Sequence, residues 1–407
     1  MLPVAFGLLL TWTGWAHAAA TGAPSSSFRF DLACTSAEAG YCDNVKKTLE
    51  LAGSYVEDVV SFSSTIQVNA TVVGFANDGF LSQGRPSSTL VVKDSDGRVR
   101  LYPQALIRGK TPRPAVQEGQ EMTKYDVEIL INSNTPAYFP ASVTGSSKAI
   151  GKEEVDLSWT LTHELLHGLG HLTAWRDHTQ EEHGADAKGA SNTSEYLTPY
   201  PFVYMVRSGS TGAAALQYDG HTYPYLFDRF LVETTSGKAL DDYITAIDGV
   251  GKAGTTFADG PAFVSAVAGN GPAASAASKV STLAKTPGSV SFRLDDGSLV
   301  TLDTDPALPS SRLDHLGPEY EKKEDLLMYS VTPSGLEYIR ALKQAGSRHP
   351  IGEKTQSILR TMGYNVKNSS MVLPMSSSVS GSMAGSKGWQ GKLHVMTGVM
   401  VVSWILS

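Results

Sequence analysis

The sequence predicts an α+β fold, because segments with helical spacing alternate with segments of strand-like composition. Apolar residues recur at helical intervals over 44–62 and 155–170. Runs with strand-like composition, bounded by polar or turn-forming residues, lie at 65–75, 89–92 and 125–131. The chain has 407 residues, of which 41% are hydrophobic. It is therefore long enough for one large or two smaller domains with a substantial core.

The helix predicted at 155–170 carries the pattern H-E-x-x-H. His163 and His167 are four residues apart, so they lie on one face of a helix and can reach one metal ion. Glu164 projects towards the same cleft, which gives two zinc ligands and a general base. The alternative is a buried helix with two satisfied core histidines, which explains neither Glu164 nor the helix-ending Gly170.

A catalytic zinc needs a third protein ligand and keeps a fourth position for water. His171 is a poor candidate, because in a continued helix it would lie about 12 Å along the axis from His163. The remaining histidine candidate is His315, far downstream, although it could also be an ordinary surface residue. Asp177 and Asp228 stay open as alternatives, since carboxylates also bind zinc.

These motifs resemble those of the leishmanolysin-type metzincins. Members of that family carry H-E-x-x-H-x-x-G, a long insertion, a distant third histidine and a methionine in a tight turn beneath the metal. The resemblance implies one zinc per chain, His315 as third ligand, Met328 as the turn methionine and Glu164 as general base. The chain departs from the compact metzincin pattern by having Thr173 where that pattern has histidine, and it lacks the family's many cysteines.

The resemblance also implies an architecture. It predicts a two-lobed zinc peptidase with a mixed sheet and the active-site helix in an N-terminal lobe, residues 19–207. A more helical C-terminal lobe, residues 208–367, would hold an insertion rich in Ala, Gly and Ser over 249–288. The strand at 125–131 would border the cleft and pair with an extended substrate. The alternative is that this strand is interior, and the sequence does not choose between them.

The expected function is that of a zinc metalloendopeptidase acting on protein or peptide substrates. Tyr329, next to the turn methionine, is a possible donor to the oxyanion, or simply a packing residue. Two alternatives remain: a catalytically silent cell-surface protein on the same scaffold, and a zinc hydrolase of non-peptide substrates. A net charge of −7 without a basic cluster argues against nucleic-acid binding.

Both ends of the chain predict export and anchoring. Residues 1–18 read as a signal peptide, with an apolar stretch and a small-x-small cleavage site. Residues 381–407 read as a removed glycolipid (GPI) anchor signal, with attachment at Ser380 or a neighbouring small residue. Residues 368–380 would form a Ser-rich stalk. The expected location is extracellular, on the outer leaflet of the plasma membrane or on the cell wall; a C-terminal core helix or strand is the alternative.

Cysteine and sequon positions fit an exported protein. Cys34 and Cys42 are close in sequence and predict one local disulfide, although a thiol that binds zinc in an inactive precursor is the alternative. Candidate N-glycosylation sites are Asn69, Asn192 and Asn368.

Overall fold

A computed structural model gives the architecture. It describes residues 27–36, 38–74, 81–110, 114–117, 120–176, 195–199, 201–207, 214–251, 255–306, 313–369, 371, 373 and 394–395.

The helices and strands follow one another in mixed order along the chain. The helices are α1 (Tyr41–Val59), α2 (Gln104–Arg108), α3 (Ala141–Thr144), α4 (Leu157–Gly168), α5 (Asp241–Asp248), α6 (Gly260–Gly269), α7 (Gly271–Leu283), α8 (Tyr338–Gln344) and α9 (Glu353–Thr361). The strands are β1 (Phe28–Ala33), β2 (Val60–Ser61), β3 (Ile66–Val73), β4 (Ser82–Pro86), β5 (Thr89–Lys93), β6 (Val99–Pro103), β7 (Val127–Asn132), β8 (Ala137–Tyr138), β9 (Val155–Asp156), β10 (Pro201–Arg207), β11 (Ala214–Thr222), β12 (Leu231–Glu233), β13 (Thr256–Phe257), β14 (Val290–Arg293), β15 (Leu299–Thr301), β16 (Val331–Thr332), β17 (Asn365–Val366) and β18 (His394–Val395).

The principal sheet is mixed, in the order β1-β3-β7-β4. β1 and β3 are parallel, as are β3 and β7, whereas β4 runs antiparallel to β7 with Ser82 opposite Ile131. The prediction of mixed α and β structure with a mixed sheet is therefore confirmed.

The position of β7 decides between two alternatives that the sequence left open. The resemblance placed the strand at 125–131 at the border of the cleft, whereas the alternative was an interior strand; β7 lies between β3 and β4 and is interior. Its side chains Val127 and Ile129 are fully buried, as an interior strand requires. The edge of this sheet beside α4 is instead β4, which the sequence did not predict.

Helix α4 begins and ends where its sequence dictates. The Asp156 side chain accepts a hydrogen bond from the Ser158 backbone N–H at 2.9 Å, which caps the N-terminus. After Gly168 the chain leaves the helix, and Gly170 adopts a φ of 97° that favours glycine. A Cβ on Gly170 would also lie 2.7 Å from Cγ of Pro103. The predicted helix is thus present, with a glycine-dependent exit beside the core.

Strand β4 crosses α4 at very short range. A Cβ built on Gly84 would lie 2.0 Å from the backbone carbonyl oxygen of Glu164, a separation that no side chain tolerates. The obstacle is backbone rather than a flexible side chain, so it cannot move aside. Only glycine at position 84 lets the edge strand approach the helix this closely.

Replacing Gly84 by alanine should therefore destabilise the protein. We expect a loss of about 1–3 kcal/mol in the free energy of unfolding, because the added methyl forces β4 and α4 apart. Urea unfolding measures this, with Gly269→Ala as control, since a Cβ on Gly269 meets nothing within 4 Å. Equal stabilities for the two variants would show that the close approach is absent.

Two helices lie in the Ala/Gly/Ser-rich segment between the second and third candidate ligands. The Ala/Gly/Ser-rich insertion predicted at 249–288 contains α6 and α7. Each helix is capped at its N-terminus by a side-chain oxygen. The Ala262 N–H donates to Asp259 in α6, and the Ala273 N–H donates to Asn270 in α7. The small residues support close helix packing, and the buried alanines of α7 belong to the same hydrophobic cluster as the principal sheet.

The hairpin predicted at 290–302 is present as β14 and β15. The two strands pair antiparallel, with Phe292 opposite Val300. Gly297 in the predicted turn has a φ of 82°, which explains why glycine follows the two aspartates there.

The chain after α9 returns to the N-terminal part of the molecule. β17 pairs with β2, and the Tyr364 hydroxyl donates to the Leu169 carbonyl at 2.6 Å. Asp58 accepts hydrogen bonds from the Ser369 hydroxyl and from the Met371 N–H. The first described residues of the predicted stalk 368–380 are therefore hydrogen-bonded to α1, and the rest of that segment lies largely outside the described residues.

Most of the predicted terminal signals lie outside the described residues. Residues 1–18 and Ser380 belong to this part of the chain. Of the predicted anchor signal 381–407 only β18 is described, and it pairs antiparallel with β16. Among the helices of the described residues, none combines the length and the apolar character needed to cross a membrane.

Candidate metal centre

Three histidine side chains converge in the interior of the protein. The Nε2 atoms of His163 and His167 are 2.9 Å apart, those of His163 and His315 are 3.2 Å apart, and those of His167 and His315 are 3.3 Å apart. In the described part of the chain, this is the one group of three or more His, Cys, Asp or Glu side chains with ligand atoms all within 4.8 Å of one another. The three residues can hold a metal ion.

Backbone carbonyls fix the orientation of the two helical imidazoles. His163 Nδ1 lies 2.7 Å from the Leu327 carbonyl, and His167 Nδ1 lies 2.6 Å from the His171 carbonyl. A carbonyl only accepts, so each Nδ1 carries the proton and donates it. Each Nε2 is then left as a lone pair, which is the form that ligates a metal.

The third imidazole lies beside a carboxylate. His315 Nδ1 is 3.1 Å from Oδ1 of Asp314, at ion-pair distance but without the alignment of a hydrogen bond. Three ring nitrogens face one another in a buried space, an arrangement that suits a cation lying between them. Tetrahedral ligands at the zinc–nitrogen distance of about 2.0–2.1 Å are about 3.3 Å apart, close to the separations here.

Burial keeps the imidazoles of His163 and His167 neutral. Desolvation, followed by the charges of neighbouring imidazoles, lowers the pKa of His163 well below its ordinary value and that of His167 to about 3. Both are therefore unprotonated across the physiological range. A neutral imidazole is the metal-binding form, so the environment favours ligation without competition from protons.

The loop that carries His315 is tied to the turn that carries Met328. The Asp303 N–H donates to the His315 carbonyl at 2.8 Å, and the Leu316 N–H donates to the Met328 carbonyl at 2.8 Å. Met328 is fully buried in the 3₁₀ turn Leu326–Met328. Since the same turn supplies the Leu327 carbonyl to His163, the segments around His315 and Met328 meet at helix α4.

Glu164 lies in the same helix, between the two helical ligands, and is almost fully buried at 2% exposure. The Ser82 hydroxyl donates to its Oε1 at 2.7 Å, and the Gly84 N–H also donates to the carboxylate. Burial raises the pKa of Glu164 to about 7, against the opposing effect of these two donors. A carboxyl group poised near neutrality suits a residue that both accepts and returns a proton.

Sequence reasoning missed Ser82 and Gly84. Both belong to β4, a strand whose glycine and proline content gives no strand signal. No motif links either residue to Glu164, which is 82 positions after Ser82. The close approach of β4 to α4 becomes evident only in three dimensions.

Tyr329 follows the turn methionine and is largely buried. Burial, followed by the nearby acidic side chains Glu321 and Asp303, raises its pKa to about 12. The phenol therefore keeps its proton at neutral pH and remains a possible hydrogen-bond donor. Its role towards an oxyanion stays a prediction.

Asp228, the alternative third ligand, accepts hydrogen bonds from nearby loops instead of joining the histidine cluster. Its carboxylate accepts hydrogen bonds from the Thr173 hydroxyl at 2.6 Å, the Ala174 N–H at 3.0 Å and the Tyr225 N–H at 2.8 Å. It therefore anchors the loop that leaves α4, and it is not a member of the histidine cluster. Burial raises its pKa to about 7. The other alternative, Asp177, lies outside the described residues.

His171 packs beside the histidine cluster. It is fully buried, its ring lies 4.8 Å from that of Phe227, and among the described residues neither of its ring nitrogens has a hydrogen-bond partner. Burial lowers its pKa to about 4. The side chain acts as an aromatic packing residue, and its backbone carbonyl orients His167.

Replacing His171 by phenylalanine should raise the free energy of unfolding of the metal-free protein more at pH 5 than at pH 8. Below pH 6.5 the unfolded chain binds a proton at His171, whereas the folded protein does so only near pH 4, so folding stability falls as the pH falls between these values. Phenylalanine has no titratable group, so it removes this pH-dependent loss of folding stability. We expect the gain from His171→Phe to be about 2 kcal/mol larger at pH 5 than at pH 8 in urea unfolding. An equal gain at both pH values would contradict the burial of a neutral imidazole.

The remaining predicted sites are placed as follows. Cys34 and Cys42 form a disulfide, with sulfur atoms 2.13 Å apart, so the predicted pairing is present. Asn368 is exposed, whereas Asn69 is half-buried in the interior strand β3. Asn192 lies outside the described residues.

Comparisons with known proteins give a family and one distant relative. A family model described as SPBPB7E8-like matches residues 14–380. A protein of Schizosaccharomyces pombe, "Uncharacterized protein PB7E8.01", is 28% identical over 171 residues, which cover 37% of this chain and 28% of that protein. The match thus spans under a third of the relative's length. No solved structure matches.

Proposed function

The chain belongs to the SPBPB7E8-like family, and we propose that it is a zinc metalloendopeptidase of metzincin type, resembling the leishmanolysins. His163, His167 and His315 would hold one zinc per chain, and Glu164 would act as general base. The observation that carries the proposal is the buried triangle of Nε2 atoms, with separations of 2.9–3.3 Å, next to a buried glutamate in the same helix.

The donor set supports zinc. Three converging imidazoles, two of them with Nδ1 oriented by a backbone carbonyl, match the three-protein-ligand sites of catalytic zinc, which leave one position open. When bound, zinc would supply a Lewis acid that polarises the scissile carbonyl and lowers the pKa of a water molecule. The described residues offer no thiolate for this site, because Cys34 and Cys42 are joined to each other.

The protein's own residues supply the proton transfers. Glu164 would accept a proton as water attacks the peptide carbonyl and would pass it to the leaving amine. Its pKa of about 7 allows both steps near neutral pH. Tyr329, whose phenol stays protonated, is the candidate donor to the oxyanion.

The outer edge of β4, which is not paired with β7, supports a peptide substrate. The Asn132 N–H donates to the Leu81 carbonyl and the Ser87 N–H donates to the Asp126 carbonyl, which shows which residues of β4 face β7 in the antiparallel ladder. Backbone groups of Ser82, Gly84 and Pro86 therefore point away from β7, and of these the Gly84 N–H is already bonded to Glu164. An extended chain can add to such an edge, which favours peptides over other hydrolysable substrates.

We further propose the two-lobed metzincin architecture, export through residues 1–18, and attachment of a glycolipid anchor at Ser380. The disulfide between Cys34 and Cys42 is typical of oxidising compartments, and the exposed Asn368 is open to glycosylation. The partners would then be extracellular proteins or peptides and the outer leaflet. The competing function is that of a catalytically silent surface protein, or of a zinc hydrolase of non-peptide substrates.

The test is metal content together with cleavage of a protein substrate such as casein by the purified full chain. We expect one zinc per chain, cleavage that a chelator stops, and recovery when zinc is returned. Zinc without cleavage of any protein would favour the non-peptide hydrolase. Absence of both would favour the silent surface protein.

A further inference from the structure

We propose that Ser82 is a positioning residue for the general base: its hydroxyl, together with the Gly84 N–H, holds the Glu164 carboxylate in one orientation. The inference rests on the proposed peptidase function and assigns a role to strand β4 beyond that of a peptide-binding edge.

The first support is the contact itself. The Ser82 hydroxyl donates to Oε1 of Glu164 at 2.7 Å, and the two residues are 1% and 2% exposed. A hydrogen bond to an ionised group in a buried place is shorter and stronger than one between neutral groups. Ser82 has a single hydroxyl proton to donate, and it is directed at the residue proposed to move the proton in catalysis.

The second support is that the two donors come from one rigid strand. Ser82 and Gly84 are two residues apart on β4, so their outward-facing groups lie on the same side of the strand. Gly84 brings its N–H within reach because it has no Cβ to meet the helix backbone. β4 is held in turn by its ladder with β7 over the whole range from Ser82 to Pro86.

The consequence concerns the terminal torsion of the glutamate. This torsion has a broad, shallow preference in a free side chain, so a carboxylate with one anchor still rotates. With two donors on a fixed strand, the carboxylate is held at a definite angle to the histidine cluster. Removing the hydroxyl would leave Gly84 as anchor and widen the range of orientations, which lowers the fraction of productive geometries.

The kinetic experiment compares Ser82→Ala, Ser82→Thr and Ser291→Ala in the full-length zinc protein. Ser291 is the matched control, because it is also a fully buried strand serine, and its hydroxyl pairs with that of Thr234 at 2.8 Å. We expect Ser82→Ala to lower kcat roughly tenfold with KM within about twofold, and Ser82→Thr to recover most of the loss. Ser291→Ala should leave kcat within about twofold of wild type. Equal kcat values for Ser82→Ala and wild type would overturn the proposal.

The spectroscopic experiment uses the metal-free protein and needs no catalysis. Infrared difference spectra between wild type and Ser82→Ala should show a shifted carboxylate stretch, because one carboxylate has lost a donor. The same difference taken in a Glu164→Gln background should lack that band. A band that persists in this background, or no band at all, would overturn the contact between Ser82 and Glu164.

The two experiments separate failure of this inference from failure of the proposed function. Active wild-type enzyme with unaltered Ser82→Ala kinetics refutes the positioning role alone. A wild-type protein that holds no zinc and cleaves no protein refutes the peptidase proposal and the positioning role with it, and the infrared band then reports only the hydrogen bond.

Discussion

Replacing Glu164 by glutamine should abolish peptide hydrolysis while leaving one zinc bound per chain. Glutamine has almost the same shape, and its side-chain oxygen can still accept hydrogen bonds from Ser82 and Gly84. It cannot take up a proton from water. We therefore expect kcat/KM to fall by about 10³-fold or more, with unchanged metal content by elemental analysis.

The control for this prediction is Glu154→Gln. Glu154 pairs with Lys148 at 2.7 Å near the surface and has no part in the histidine cluster. That variant should cleave at close to the wild-type rate. If Glu164→Gln instead cleaves as fast as wild type, the assigned mechanism is wrong even where zinc is present.

Replacing His315 by alanine should remove both the metal and the activity. Two helical histidines alone give an incomplete site, and truncation also leaves the neighbouring Asp314 without the imidazole that it contacts at 3.1 Å. We expect well under one zinc per chain after dialysis and a loss of kcat/KM of at least about 100-fold. Zinc titration against a chromophoric chelator, followed by the cleavage assay, measures both.

His349→Ala is the matched control for that experiment. His349 is half-buried, and its Nδ1 lies 2.7 Å from the Met371 carbonyl. It does not belong to the cluster of His163, His167 and His315. It should retain one zinc. If zinc and activity survive the loss of His315, the third ligand is another residue. Asp177 would then be the first residue to replace in the same assay.

The features predicted correctly from sequence are those set by local spacing. The i, i+4 histidines and the exit at Gly170 act within one helix, so their consequences follow from helical geometry. The Cys34–Cys42 pairing is likewise local. His315 was reached only through a family resemblance, because no local rule connects residues 152 positions apart.

The features that were missed depend on tertiary contacts. Gly84 and Pro86 are poor strand formers, yet β4 forms because it pairs with β7. Glycine at position 84 also lets the strand pack directly against the backbone of α4. The strand at 125–131 carries the same apolar pattern whether it is interior or at an edge, so its place could not be read from its own residues. The small residues of α6 and α7 form helices because they pack into a shared core.

The separation between the helical ligands and His315 has a consequence for the order of biosynthesis. A ribosome adds about 5–20 residues per second, so some 8–30 seconds pass between the synthesis of His163 and that of His315. During that interval the nascent chain has two imidazoles and the glutamate but no third ligand. The histidine cluster can be completed only after the chain has passed the turn with Met328, so the proposed peptidase would have no complete metal site while the segment between His167 and His315 is being synthesised.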